Sequence, residues 1–123
     1  MSSYVEKMMK LSGVEPEIHK EIGRDIDNEG DLSSWYIERI YPEFTKEKQL
    51  NLIQLIGLKI DYMCYFDNDL QEWVICAQQK CNPVYWNYLC VKKDFAEALA
   101  ELVCQLIEDK VLNKDEVKGV LEQ

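Results

Sequence analysis

A chain of 123 residues, 47% hydrophobic and 30% charged, fits one globular domain and excludes a disordered or fibrous one. Its 14 Lys and Arg against 23 Asp and Glu leave a net charge of −9. That balance disfavours nucleic-acid phosphate and anionic membrane surfaces as partners. No apolar run approaches the ~20 residues of a membrane-spanning helix; Leu52-Ile53 and Leu55-Ile56 are split by Gln54. The opening Met1 to Lys7 lacks the basic and then apolar order of a secretory signal, so the expectation is a cytoplasmic protein.

Taken in chain order, residues 3–11 predict a short helix, with Ser3 and Glu6 as a capping box and Gly13 as its stop. Glu15-Pro16 predicts the opening of a second helix, striped by Ile18, Ile22 and Ile26. Asp27 to Asp31 is a polar turn, and residues 33–40 predict a further helix burying Trp35, Tyr36 and Ile40. Thr45 predicts the N-cap of a three-turn helix with Leu50, Ile53 and Ile56 as core positions and Gly57 as its end.

The period then changes. Residues 60–66 and 72–77 are rich in strand formers around Asp67-Asn68-Asp69, which predicts an antiparallel hairpin. A second turn over 78–83 leads to a third strand over 84–91. Asp94, with Glu97 three residues on, caps the clearest helix, in which Phe95, Ala98, Leu99, Leu102, Val103, Leu106 and Ile107 share a face. Asn113 and Glu116 open a short last helix.

The order implies an α+β domain, a three-stranded antiparallel meander flanked by amphipathic helices, with a helical N-terminal region. Residues 1–40 form that region, 41–112 a helix-hairpin-strand-helix core and 113–123 a C-terminal helix of one domain. Neither face of the first or third core strand is cleanly polar, so cover on both sides is expected from the helices at 46–56 and 95–109.

The words Tyr41-Pro42-Glu43-Phe44-Thr45, Glu47 to Ile53, a hairpin containing Trp73, and Asp94 to Ala100 occur in an order that resembles small uncharacterised proteins of tailed phages and prophages of gut bacteria, including phage α-β-α sandwich domains. The resemblance covers residues 41 to 109. It implies fold and origin only, with no cofactor and no catalytic residue.

Candidate chemistry is sparse. Five cysteines, Cys64, Cys76, Cys81, Cys90 and Cys104, are an odd number without a Cys-x-x-Cys pair, which favours reduced, buried thiols over zinc ligands. Asp25, Asp27, Glu29 and Asp31 copy the opening of a calcium loop, with Gly30 at the turn. Position 12 of that loop is Tyr36 rather than a bidentate Glu, so a solvated acidic turn competes with a metal site. His19 has no Ser, Cys or His nearby in sequence, and no phosphate loop exists, so no enzyme is expected.

Among the aromatics, most are expected in the core, with Tyr65 and Tyr85 as surface contacts. Glu97, Glu101 and Glu108 lie near one face of the last long helix and, with Asp115 and Glu116, suggest an acidic surface for a basic partner. Three readings follow. The first is a non-catalytic accessory protein that binds a host or phage protein, with a homodimer compatible with its aromatics. The second is an acidic, DNA-mimicking inhibitor of a nucleic-acid-targeting defence enzyme. The third is a calcium-binding module using residues 25–31.

Overall fold

The computed structural model describes residues 3–26, 32–78 and 87–123, with the backbone alone at Ser3 and over 18–26 and 32–39. Helix α1 spans Ser3–Ser12 and ends where the sequence places its stop. Gly13 takes φ +81°. Its N–H donates to the Lys10 carbonyl at 3.1 Å and that of Val14 to the Met9 carbonyl at 2.9 Å, the paired bonds of a Schellman cap. Val14 and Met9 are both buried, which supplies the apolar contact that accompanies the motif. Ser12, the one buried polar residue among those described, donates its hydroxyl to the Met8 carbonyl at 2.7 Å.

The next two elements differ from the sequence expectation. Residues expected as the second and third helices are strands β1, Glu17–Ile26, and β2, Leu32–Ile40. They pair antiparallel from Glu17↔Ile40 to Gly23↔Ser34, and the register shifts by one residue before Ile26↔Leu32. The physical reason is an ambiguity of period. Isoleucines every four residues satisfy a repeat of 3.6 and equally a repeat of two. Three β-branched residues in β1, and Trp35, Tyr36 and two isoleucines in β2, then decide for the extended form. The N-terminal region is therefore a helix followed by a hairpin, and its two strands form a sheet of their own.

Helix α2 spans Lys46–Lys59 behind the N-cap Thr45, whose Oγ1 accepts from the Lys48 N–H at 3.3 Å. It runs past Gly57 and stops at Ile60, so Gly57 does not terminate it. A Cβ at Gly57 would stand 3.2 Å from Cε1 of Tyr62, and the glycine admits that ring. The buried stripe is Leu52 and Ile56, while Leu50, expected in the core, faces water.

Strands β3, Asp61–Asp67, β4, Glu72–Gln78, and β5, Tyr88–Lys92, form the expected meander in the order β3-β4-β5. The β3–β4 turn is held by Asp67, whose Oδ1 accepts from the N–H groups of Asp69 at 2.9 Å and Leu70 at 3.1 Å. Residues 79–86, which carry the expected second turn and the start of the third strand, lie outside the described residues.

Helix α3 spans Phe95–Glu108, and its N-cap Asp94 accepts from the Ala96 N–H at 3.2 Å. Helix α4 spans Lys114–Leu121, with Asn113 accepting from the Asp115 N–H at 2.9 Å. α3 is the central rod: the sheet lies on one side, α1 on another, and Ala100 and Cys104 are buried beyond the stripe the sequence shows. α2 and α4 pack against each other, and the core joins residues of all four helices to Ile75, Ala77, Tyr88 and Cys90 of the sheet.

The C-terminus of α3 also ends in a Schellman cap. The Val111 N–H reaches the Leu106 carbonyl at 2.9 Å and the Lys110 N–H the Ile107 carbonyl at 3.1 Å, but here the left-handed position is Lys110, at φ 61°. A side chain in that region costs ~1–2 kcal/mol relative to glycine, part of which glycine returns through its freer unfolded chain. Lys110→Gly is expected to raise stability by about 0.5–1 kcal/mol in urea denaturation, whereas Gly13→Ala lowers it.

Candidate functional site

The pleat sorts the sheet residues into two sets. Register places Tyr62 beside Ala77 and Cys64 beside Ile75. Tyr62, Cys64 and Ile75 enclose a small void of about 10 Å³ together with Ile53 and Ile56 of α2 and Phe95, Leu99 and Leu102 of α3. Both helices expected to cover opposite faces thus cover the same one. The other face carries two apolar cross-strand rows, Tyr65–Val74–Val91 and Met63–Cys76–Leu89, between the polar pairs Asp61–Gln78 and Asp67–Glu72. None of the six side chains in the two rows joins the core cluster. Val74 and Cys76 at the centre are buried, and Met63, Tyr65 and Leu89 at the margins are exposed.

Among the described residues β3 is an edge strand, and it is apolar on both sides. Tyr62, Met63, Cys64, Tyr65 and Phe66 are all exposed. Its pairing with β4 is continuous from Asp61 to Asp67, with no bulge, no proline and no lysine. Those are the devices by which sheet edges ordinarily discourage pairing with another chain.

On the helix side the strand borders an open groove of about 550 Å³, whose lining includes Leu50, Ile53, Cys64, Trp73 and Phe95. Its aromatic flank is a chain of edge-to-face contacts. Phe66 meets Trp73 at 5.3 Å between ring centroids, and Trp73 meets Phe95 at 5.2 Å. The aromatics of β3 and β4 expected in the core therefore line a surface, because β3 has no outer neighbour in its sheet among the described residues.

The expected contact residues fare differently. Tyr65 is exposed on the face opposite α2 and α3. Tyr85 lies outside the described residues, as do Asp27, Glu29 and Asp31; the backbone of Asp25 sits on β1. His19 pairs with Glu38 across the β1–β2 hairpin rather than sitting on a helix. Among the described residues no group of three or more His, Cys, Asp and Glu is placed to hold a metal ion.

The acidic residues of α3 are tied up within the chain. Glu97 Oε1 accepts from the Tyr4 N–H at 3.2 Å and so satisfies a backbone donor at the start of α1. Glu101 is mostly buried, with Oε2 3.8 Å from Nζ of Lys92, a charge contact beyond hydrogen-bond reach. The same ammonium stands 4.9 Å from the centre of the Tyr4 ring. Glu108 pairs with Lys7 at 3.3 Å, and this contact pushes the Lys7 pKa up. Three carboxylates expected on a free acidic face thus anchor α1 and β5 to α3, an arrangement invisible without knowing that α1 packs there.

The buried thiols Cys76, Cys90 and Cys104 are poor nucleophiles. Burial pushes Cys90 up to about 12 and Cys104 up to about 11, and it raises Cys76 as well. Each is protonated near neutrality, where the reactive species is the thiolate. Cys64, Cys76, Cys90 and Cys104 are free rather than disulfide-bonded. Tyr88 donates its hydroxyl to Asp109 Oδ2 at 2.6 Å, tying β5 to the end of α3, and burial with this bond raises it to about 12.

Compared with protein-family models, with curated proteins and with solved structures, the chain matches nothing in any of the three. No helix among the described residues is long and apolar enough to cross a membrane.

Proposed function

We propose that the chain is a non-catalytic binding domain that engages a host or phage protein through the apolar margin of its sheet. The observation that carries this reading is β3, an edge strand with apolar side chains exposed on both faces beside an aromatic groove. Open backbone groups along such a strand favour addition of another strand, and flanking aromatics supply the contact area that dominates protein interfaces. The protonated thiols Cys76, Cys90 and Cys104 support a non-catalytic role, and four free cysteines go with a reducing cytoplasm. The phage-like order of words over 41–109 supports a phage or prophage setting for the partner.

The test is affinity capture from host lysate at low and high salt, with wild type and with Met63→Lys. Capture that survives high salt and is lost in the variant is the expected result. Capture lost sharply with salt and retained in the variant overturns it in favour of an acidic surface, since screening acts on exposed charge and leaves apolar contact intact.

A further inference from the structure

The sequence of β3 is close to a palindrome in chemistry. Asp61-Tyr62-Met63-Cys64-Tyr65-Phe66-Asp67 reads acid, aromatic, apolar, thiol, aromatic, aromatic, acid. A two-fold axis through Cys64 sets Tyr62 opposite Phe66 of a second copy, Met63 opposite Tyr65, and Cys64 opposite itself. An isologous interface has that requirement, that residue i meet j while j meets i. Antiparallel pairing also keeps directly opposite residues on one face of the sheet. Tyr62 and Phe66 would meet on the side of the groove, and Met63 and Tyr65 on the other.

We propose that the occupant of the β3 edge is a second copy of this chain, joined antiparallel about Cys64 into a continuous six-stranded sheet. The inference rests on the reading of β3 as a binding surface and names its partner. Area supports it. Leu50 is 60% exposed, Tyr62 40%, Met63 44%, Tyr65 42% and Phe66 39%. With the rest of the edge they expose on the order of 600 Å² per copy, so a pair buries at most ~1,200 Å², the lower end of specific interfaces. The register has one unfavourable feature, since Asp61 meets Asp67 at both ends. Two chains of net charge −9 repel as well. The association is therefore weakest in low salt and tightens as salt is added, opposite to a partner recruited by acidic charge.

Sedimentation equilibrium of the full chain at low and high salt tests this, with Tyr65→Lys beside wild type. Diamide oxidation of wild type and Cys64→Ser reports the register. The expected mass is twice 14.5 kDa, approached more closely in high salt. Tyr65→Lys weakens association at least tenfold while circular dichroism stays unchanged. Diamide takes a hydrogen from each of two facing thiols and traps the dimer through a disulfide, because opposed antiparallel residues have the required spacing. Cys64→Ser abolishes the trap, which also assigns it to Cys64 rather than to another thiol.

A wild type that stays monomeric at both salts overturns the proposal, as does a dimer that Cys64→Ser still traps equally or that Tyr65→Lys leaves unchanged. If Tyr65→Lys fails to fold, trapping at Cys64 decides alone. A monomeric wild type that still captures another protein, with Met63→Lys losing it, removes the second copy and keeps the binding reading. A monomer that captures nothing removes both.

Discussion

Leu102→Ala is expected to lower stability by about 3–5 kcal/mol, the upper range for truncation of a buried leucine. Leu102 is fully buried on α3, between α2 and the sheet, and it already borders a void of about 10 Å³. The neighbours that would have to move into the lost volume, Ile56 and Leu99, are themselves almost fully buried on helices packed from two sides. A site held so rigidly collapses little, so both the transfer free energy and the cavity penalty remain. Against a total of ~5–15 kcal/mol for a domain of this kind, the loss is a fifth or more. The measurement is the urea midpoint at unchanged slope, with a fall in Tm of ~10–20 °C beside it. Leu58→Ala is the control, since Leu58 is exposed away from the groove and its truncation costs little. A loss under ~1 kcal/mol for Leu102→Ala would mean that α3 is not the central rod.

The second expected result is alkaline lability that begins near pH 9. The usual thiol value is 9.0, and burial holds Cys90 at about 12 and Cys104 at about 11 in the folded chain. Tyr88 is held at about 12 against a usual 10.0 by burial and its bond to Asp109. In each case the folded state keeps a proton that the unfolded chain gives up. Stability is therefore level below pH ~9 and falls as pH rises toward ~12, because the native state binds more protons throughout that window. Each pH unit of separation corresponds to about 1.4 kcal/mol for one fully desolvated group, and solvent screening reduces the sum over the three to a few kcal/mol. Urea midpoints measured from pH 7 to 11 under reducing conditions check this. Cys90→Ala and Tyr88→Phe should each flatten the slope above pH 9, and a midpoint independent of pH up to 11 would contradict the burial of these groups.

Several features were legible from the residues alone because they depend on short-range rules. The caps at Thr45, Asp94 and Asn113, the glycine stop at Gly13 and the Asp67 turn each involve groups within a few residues, and each stands where the sequence places it. The meander and the stripe of α3 follow from strand-forming composition and from a repeat long enough to be unambiguous. The stretches 17–26 and 32–40 were not legible, because isoleucines at a spacing of four fit a helix and a strand alike. Exposure was equally hidden. Tyr62, Phe66 and Trp73 have core composition, and only the order β3-β4-β5 puts the first two on an edge. For Tyr65 the surface expectation and the structure agree.

The sequence by itself thus determined the α+β class, the ends of most helices, the hairpin and the acidic balance, since hydrogen-bond capping, strand propensity and net charge are local or additive quantities. The tertiary structure alone decided that α2 and α3 cover one face of the sheet and that the α3 carboxylates serve α1 and β5. It also decided that an apolar strand lies at the border. These are consequences of which elements become neighbours, and neighbours far apart in the chain are chosen by the packing of whole faces.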